Sequence, residues 1–268
     1  MKINKIITPD GCVYLAMGQG LHVPRPYSLR PLAYVIPAKA WPLVQYISYA
    51  IIAICVAKMA AASQVNPIAC VLAVAMLPFV VKSITMPVLL DMPSLACACL
   101  CAVSAICFGA WCVVPIMLSV LVTEKTPIWG ALYSAMYVDN YWLLGAGVAI
   151  AAIVTAIIYV WRKPHTDEQD VEWLREPIKS AIKKHLPVIS DWNAWVKPWG
   201  GVLIGLAALN VHLALCLVVA YGGCLMAQDR ARIYMMACVP MAIAACAIAG
   251  DYAMWLPVVN FYTSSNEL

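Results

Sequence analysis

Long apolar runs with few charges, separated by polar links, dominate the pattern of the chain. The runs cover residues 41–62, 68–84, 94–122, 141–161, 199–226 and 233–259. Most of them reach the roughly 20 apolar residues that a helix needs to cross the hydrocarbon core of a bilayer. Because the runs are continuous and do not alternate with polar residues, they favour helices over membrane strands. The pattern therefore predicts an all-α, polytopic integral membrane helix bundle with about six transmembrane helices.

The polar links divide the chain into five parts. These are a basic leader (1–40), a four-helix membrane block (41–161), a charged segment (162–198), a two-helix membrane block (199–259) and a short polar tail (260–268). The leader contains several prolines, which disfavour a long helix. Its lysines and arginines suggest that it lies near anionic lipid headgroups on the cytoplasmic side.

The charged segment 162–198 is the longest interruption of the apolar pattern. Thr166 and Gln169 fit a capping box, and apolar residues then recur at helical spacing until Pro177 interrupts them. This pattern predicts an amphipathic cytoplasmic segment between helices four and five. It fits either a linker lying on the membrane surface or a docking platform for a soluble partner. At its end, three indoles are candidate interface anchors: Trp192, Trp195 and Trp199.

The composition supports the same class of protein. Of the 268 residues, 64% are hydrophobic and 11% are charged, whereas soluble chains carry about 25% charged residues. Of the 12 cysteines, only Cys12 lies outside the apolar segments, which argues against a disulfide framework. The lipid bilayer is therefore the first expected partner, and a nucleic acid is not expected.

The placement of positive charge predicts an orientation. With six crossings, the side that holds both termini and segment 162–198 carries 13 of the 17 lysines and arginines. The opposite side carries Lys58, Lys125, Arg230 and Arg232. Since these residue types concentrate in cytoplasmic loops, both termini are expected in the cytoplasm. We expect a multi-pass protein of the cytoplasmic (inner) membrane.

Small residues recur at the spacing of one helix face and predict close helix packing. The positions that we single out are Cys97, Cys101 and Gly109 in the third run, Gly201 and Gly205 in the fifth, and Cys238, Cys246 and Gly250 in the sixth. Such faces allow contacts within the chain, with protein partners or in a homo-oligomer.

The cysteines at 97, 99 and 101 also raise the question of a metal site. In a helix, Cys97 and Cys101 share a face while Cys99 points away, and three thiolates in lipid would need a cation and further ligands. We therefore favour close packing, and we expect no metal or other cofactor.

The polar residues within the apolar runs are the candidates for chemistry, because each is costly in lipid. They are Asp251, His212, Asn210 and Lys82. Asp251 and His212 fit either a hydrogen-bonded structural pair or a proton or ion relay. We expect a non-enzymatic component of a membrane-embedded assembly. The alternatives are a small transporter or channel that uses Asp251 and His212, and, third, a membrane-embedded enzyme.

Overall fold

The computed structural model describes residues 9–19, 30–84, 90–123, 125–138, 140–161, 197–224 and 230–265. Every regular element in these ranges is helical, which confirms the all-α prediction. Segment 162–196, with its capping box, Trp192 and Trp195, lies outside the described residues.

The α-helices, in chain order, are α1 (Pro9–Gly18), α2 (Pro31–Val35), α3 (Trp41–Ala62), α4 (Pro67–Ala75), α5 (Pro78–Ile84), α6 (Asp91–Phe108), α7 (Val113–Ser119), α8 (Thr126–Val138), α9 (Trp142–Trp161), α10 (Val211–Cys224), α11 (Arg230–Ala249) and α12 (Leu256–Ser265). Within the described ranges, four 3₁₀ segments accompany these α-helices: Ala38–Ala40, Gly109–Cys112, Lys197–Ala208 and Gly250–Trp255.

Within the described ranges, three helical stretches are long and apolar enough to cross a membrane: Ala38–Ala62, Asp91–Ser119 and Met235–Tyr262. They coincide with the first, third and sixth apolar runs of the sequence. The chain is therefore a membrane protein with transmembrane helices. The second and fifth runs do not form single α-helices, and local backbone chemistry explains both breaks.

The second run is divided into α4 and α5 by a proline. Asn66 caps α4, because its Oδ1 accepts hydrogen bonds from the backbone N–H groups of Ile68 at 3.0 Å and Ala69 at 3.1 Å. At the other end, Pro78 has no N–H to continue the α-helical ladder. The N–H of Leu77 instead bonds to the carbonyl of Val74 at 3.2 Å, which closes a tight turn.

Three glycines with positive φ interrupt the other long runs. Gly109 (φ 58°) ends α6, Gly200 (φ 52°) kinks the segment Lys197–Ala208, and Gly250 (φ 54°) marks the change from α11 to a 3₁₀ segment. An α-helix needs negative φ, and only glycine adopts positive φ without a steric cost. These positions therefore fix where the helices change direction.

The chain forms two compact units. Unit 1 comprises residues 1–55 and 83–166, and unit 2 comprises residues 56–82 and 167–268. In unit 1, α6 packs against α7 and α8, and α8 packs against α9. In unit 2, the 3₁₀ segment Lys197–Ala208 packs against α11 and α12, while α4 also contacts both of these helices and α10 contacts α11.

The described part of the leader contributes to the core of unit 1, a role that the sequence analysis did not anticipate. Tyr14, Met17 and Trp41 are fully buried in one apolar cluster. The rings of Tyr14 and Trp41 stack with centroids 5.7 Å apart. Arg30 donates a hydrogen bond to the Tyr14 hydroxyl, and its guanidinium carbon lies 5.5 Å from the centre of that ring. The arginine of the leader therefore stabilises an aromatic core.

Candidate functional site

Asn210 is a helix cap in unit 2. Its Oδ1 accepts a hydrogen bond from the N–H of Leu213 at 2.9 Å, and its carbonyl accepts one from Ala214 at 2.8 Å. These bonds are those of a residue that starts a helix, here α10. The interpretation of Asn210 as a polar residue near the middle of one continuous helix is therefore wrong. The segment Lys197–Ala208 ends before Asn210, and the exposed side chain of Asn210 begins the next helix.

His212 is the second residue of α10 and is half-buried. Lys82 belongs to α5, and its side chain lies outside the part of the chain that the structure describes.

Asp251 is exposed and stands second in the 3₁₀ segment Gly250–Trp255. It makes no hydrogen bond or ion pair with any residue that the structure describes, so it does not contact His212 or Asn210. Lys82 is the third partner that we expected, and its side chain lies outside the described part of the chain. The physical reason lies in the preceding residue. The positive φ of Gly250 ends α11, and the inward-facing side of that helix is not continued to Asp251.

Asn260 is a polar residue in the interior of unit 2. The sequence analysis assigned it to the polar tail. It is fully buried. Its Nδ2 donates a hydrogen bond to the carbonyl of Ala73 at 2.7 Å, and its Oδ1 accepts one from the N–H of Gly201 at 2.6 Å. The sequence signal for this role is that the residues on both sides of Asn260 are apolar as far as Tyr262.

Both backbone groups held by Asn260 are left without a helical partner by the local geometry. Ala73 lies in the last turn of α4, where carbonyls lack an N–H four residues further on in the helix. Gly201 follows the kink at Gly200, which interrupts the regular hydrogen-bond pattern. One amide side chain therefore satisfies a donor and an acceptor from two different elements.

At Gly205, the backbone of the segment Lys197–Ala208 packs directly against the backbone of α11. A Cβ atom on Gly205 would lie 2.7 Å from the carbonyl oxygen of Met241 and 3.0 Å from the nitrogen of Ala245. A Cβ on Gly201 would lie 3.2 Å from the Oδ1 of Asn260 and 3.2 Å from Val259. The two glycines of this motif therefore contact different helices.

The cysteines of α11 are interior residues of unit 2. Cys238 and Cys246 are buried, and the thiol of Cys246 in α11 lies next to that of Cys70 in α4. Gly250, at the end of the same row, is exposed and does not share this interior position.

Unit 1 contains two close contacts that the small-residue rows did not reveal. A Cβ on Gly130 in α8 would lie 2.8 Å from the Sγ of Cys101, which is buried. A Cβ on Gly147 in α9 would lie 2.6 Å from the Cβ of Ala131 and 2.7 Å from the carbonyl oxygen of Pro127. Cys97 is half-buried beside the aromatic cluster of the leader.

The packing interpretation needs correction at Gly109 and Gly250. Neither has a described atom within 4 Å of the position that a Cβ would occupy, and both have positive φ. These two glycines instead allow the backbone conformation with positive φ at the end of a helix. The interpretation of Trp199 as an interface anchor is also wrong, because Trp199 is 1% exposed and packs inside unit 2. Among the described residues, no group of three metal-ligating side chains is found.

The remaining candidate is a surface, which we call the Asp251 face. It comprises Asp251 and the aromatic residues Tyr252, Trp255 and Tyr262, of which the last three are 75%, 66% and 69% exposed. Residues three apart eclipse in a 3₁₀ segment, and residues three or four apart share a face of an α-helix. In the 3₁₀ segment, Tyr252 and Trp255 therefore lie on one side, and Asp251 lies with Met254 on the neighbouring side; all four residues are exposed.

Comparison with known protein families, curated proteins and solved structures gives no match to this chain.

Proposed function

We propose that this chain is a six-helix, multi-pass protein of the cytoplasmic membrane and a non-enzymatic component of a membrane-embedded protein assembly. The observation that carries the proposal is the exposed carboxylate of Asp251 within a candidate membrane span. A charged side chain facing lipid is disfavoured by about 2.5 to 3.5 kcal/mol at the centre of a helix. Contact with a second protein would remove this cost.

The length of the fifth run supports one of these crossings. At about 2.0 Å per residue, the 12 residues of Lys197–Ala208 extend about 24 Å, and at about 1.5 Å per residue the 14 residues of α10 extend about 21 Å. Together they exceed the roughly 30 Å of a hydrocarbon core. A helix break at Asn210 is compatible with a membrane segment when other parts of the protein form hydrogen bonds with the backbone groups that the break leaves free.

The polar contacts of Asn260, Asn66 and Asn210 favour a structural role over chemistry. The amide of Asn260 is used to join two backbone elements, and those of Asn66 and Asn210 are used to cap helices. A transporter or channel would require Asp251 and His212 to meet along a pathway, and the described residues do not bring them into contact. No observation favours that alternative or an enzyme.

Extraction into a mild detergent or into lipid nanodiscs tests the assembly. The expected result is co-purification of at least one other membrane protein in a fixed ratio, measured by quantitative mass spectrometry and by the mass of the native particle. A functional protein that is extracted only as a monomer with bound lipid would contradict the proposal.

A further inference from the structure

Two consecutive helices of unit 1, α6 and α7, run in opposite directions. A Cβ atom on Gly130 would lie 2.8 Å from the Sγ of Cys101 in α6 and 3.6 Å from the Cγ1 of Ile116 in α7. These two side-chain atoms are therefore at most about 6.4 Å apart, the sum of the two distances. In one straight helix, residues 101 and 116 would be about 22 Å apart. The stretch Asp91–Ser119 is thus a hairpin that turns at Gly109, where φ is 58° and ψ is −126°.

The return arm of this hairpin brings the chain back to the start of α6. With 18 residues, α6 extends about 27 Å, close to the roughly 30 Å of a hydrocarbon core. The 3₁₀ segment Gly109–Cys112 and α7 together extend about 18 Å in the opposite direction. Val122 then belongs to the same buried cluster as Leu90, the residue before α6, and Cys97 packs against that cluster. The end of the return arm therefore lies beside the first two turns of α6.

The leader meets the end of the return arm at the same place. The N–H of Leu32 in α2 donates a hydrogen bond to the carbonyl of Leu121, just beyond α7, at 2.9 Å. An N–H group in the first turn of a helix has no acceptor within that helix, so the bond satisfies it. Tyr14 of α1 and Trp41, the first residue of α3, share a buried cluster with Val122. The connection between α7 and α8 therefore lies at the end of unit 1 where α3 and α6 begin.

The next helix, α8, leads away from the leader again. Its last two residues, Tyr137 and Val138, pack on the buried cluster that contains Ala105 and Cys112, next to the turn of the hairpin. Leu143, near the start of α9, belongs to the same cluster. The 13 residues of α8 extend about 20 Å, whereas the 20 residues of α9 extend about 30 Å. Of these two helices, α9 alone is long enough for a complete crossing.

From this path we infer that α7 and α8 form a re-entrant hairpin, which enters the membrane at the Gly109 end of α6, reaches the leader and turns back without a complete crossing. The backbone at its tip fits such a position. The N–H groups of Leu121, Val122 and Thr126 bond to carbonyls three residues earlier at 3.1 Å, and Val122 is buried. Backbone at membrane depth needs such bonds and such cover. Entry and return together add no crossing, so the six proposed crossings are unchanged.

The re-entrant hairpin changes the side of the membrane on which Lys125 lies. If the third run were one straight crossing, this exposed lysine would lie opposite the leader. With the hairpin, it lies on the leader's side. That side then carries 14 of the 17 lysines and arginines instead of 13, which strengthens the charge asymmetry that sets orientation. Tyr141, just before α9, stays on the opposite side.

Distances between two spin labels on the full chain in lipid nanodiscs test the hairpin. One label pair is placed at Asp91→Cys and Leu121→Cys, and the control pair is placed at Asp91→Cys and Trp111→Cys; Leu121 and Trp111 are exposed. The hairpin predicts less than about 25 Å for the first pair and about 30 Å for the control pair. One straight helix would give about 45 Å for the first pair, so a first distance longer than the control distance would refute the hairpin. Three native cysteines are first replaced by serine to lower the background: Cys12, Cys107 and Cys224.

Labelling with a membrane-impermeant maleimide tests the side on which the tip lies. Right-side-out and inverted vesicles are compared, and a variant that retains the exposed Cys12 marks the leader's side. Lys125→Cys is expected to react only in the vesicles in which Cys12 reacts, and Tyr141→Cys only in the others. Reaction of Lys125→Cys together with Tyr141→Cys, or in neither type of vesicle, would overturn the inference. These results concern this chain alone, so the assembly proposal stands or falls separately by co-purification.

Discussion

Replacement of Asn260 by leucine removes both hydrogen bonds that this side chain makes while retaining a side chain that branches at the same carbon. The bonds are to Gly201 at 2.6 Å and to Ala73 at 2.7 Å, and the residue is fully buried. After the replacement, an N–H and a C=O group inside unit 2 would have no partner. We expect the folded protein to be formed but to be less stable.

The size of the effect follows from the two bonds. A hydrogen bond within a membrane protein contributes about 0.6 to 1.5 kcal/mol to stability. The loss of two therefore lowers the free energy of unfolding by about 1 to 3 kcal/mol. For a chain of this size, 1 kcal/mol corresponds to about 2 to 4 °C in melting temperature. The expected decrease is roughly 2 to 12 °C.

The buried cysteines of unit 2 provide the assay. Cys216, Cys238 and Cys246 become accessible when the unit unfolds, so a thiol-reactive fluorophore reports melting in mild detergent. Asn260→Ala also removes the bonds but leaves a smaller side chain. Similar losses in the leucine and alanine variants would assign the effect to hydrogen bonding and not to volume.

Val258→Ala is the matched control, because Val258 is 55% exposed on the same helix. It is expected to melt within about 2 °C of the original protein, since exposed substitutions change stability by less than about 0.5 kcal/mol. If Asn260→Leu melts at the same temperature as the control, the two hydrogen bonds do not stabilise unit 2 and the reasoning is refuted.

The remaining predictions concern glycines and topology. Gly205→Ala is expected to lower the melting temperature, because overpacking against backbone atoms costs about 1 to 3 kcal/mol. Gly222→Ala is the control and should be neutral or slightly stabilising, because no described atom lies within 4 Å of the added Cβ. Gly200→Ala should also destabilise, by about 1 to 3 kcal/mol, because φ 52° with ψ −140° is accessible mainly to glycine; melting equal to that of Gly222→Ala would contradict this. Reporter domains fused after residues 166 and 268 should be active only as cytoplasmic reporters, and a periplasmic signal at either site would overturn the predicted orientation.

The class of fold was predictable because it depends on composition and on the lengths of apolar runs. The spans at Ala38–Ala62, Asp91–Ser119 and Met235–Tyr262 correspond to runs that contain few or no charges. Hydrophobic transfer from water to lipid is a property of each residue and its neighbours, so a local pattern reports it. The number of crossings stays a prediction, because the second and fifth runs contain breaks.

The breaks depend on single residues whose roles are ambiguous in a sequence. An asparagine in an apolar run is compatible with a polar contact inside a helix bundle or with a helix cap. At Asn210 the cap is formed, and the run is divided there. A glycine in such a run is likewise compatible with close packing or with positive φ. Gly205 provides close packing, whereas Gly109 provides positive φ. Helical spacing of glycines in the sequence does not distinguish these two roles.

Contacts between helices were the least predictable feature. The buried Cys101 is found in a repeating row, but its neighbour Gly130 stands on a different helix and belongs to no repeat. Spacing along one helix identifies a face that permits close approach. It contains no information about which residue of another helix meets that face, since this is decided by the path of the intervening chain.

The chemistry of the two side chains explains why unit 2 buries Asn260 and exposes Asp251, although they lie nine residues apart in one span. The interior position must satisfy an N–H from Gly201 and a C=O from Ala73 at the same time. An amide offers an acceptor and two donors without a charge, whereas an ionised carboxylate offers acceptors only and would repel the carbonyl. The amide is therefore suited to the inside of this unit. A carboxylate on the outer side of the span is suited to a donor that this interior does not provide, which is why we assign it to contact with another protein.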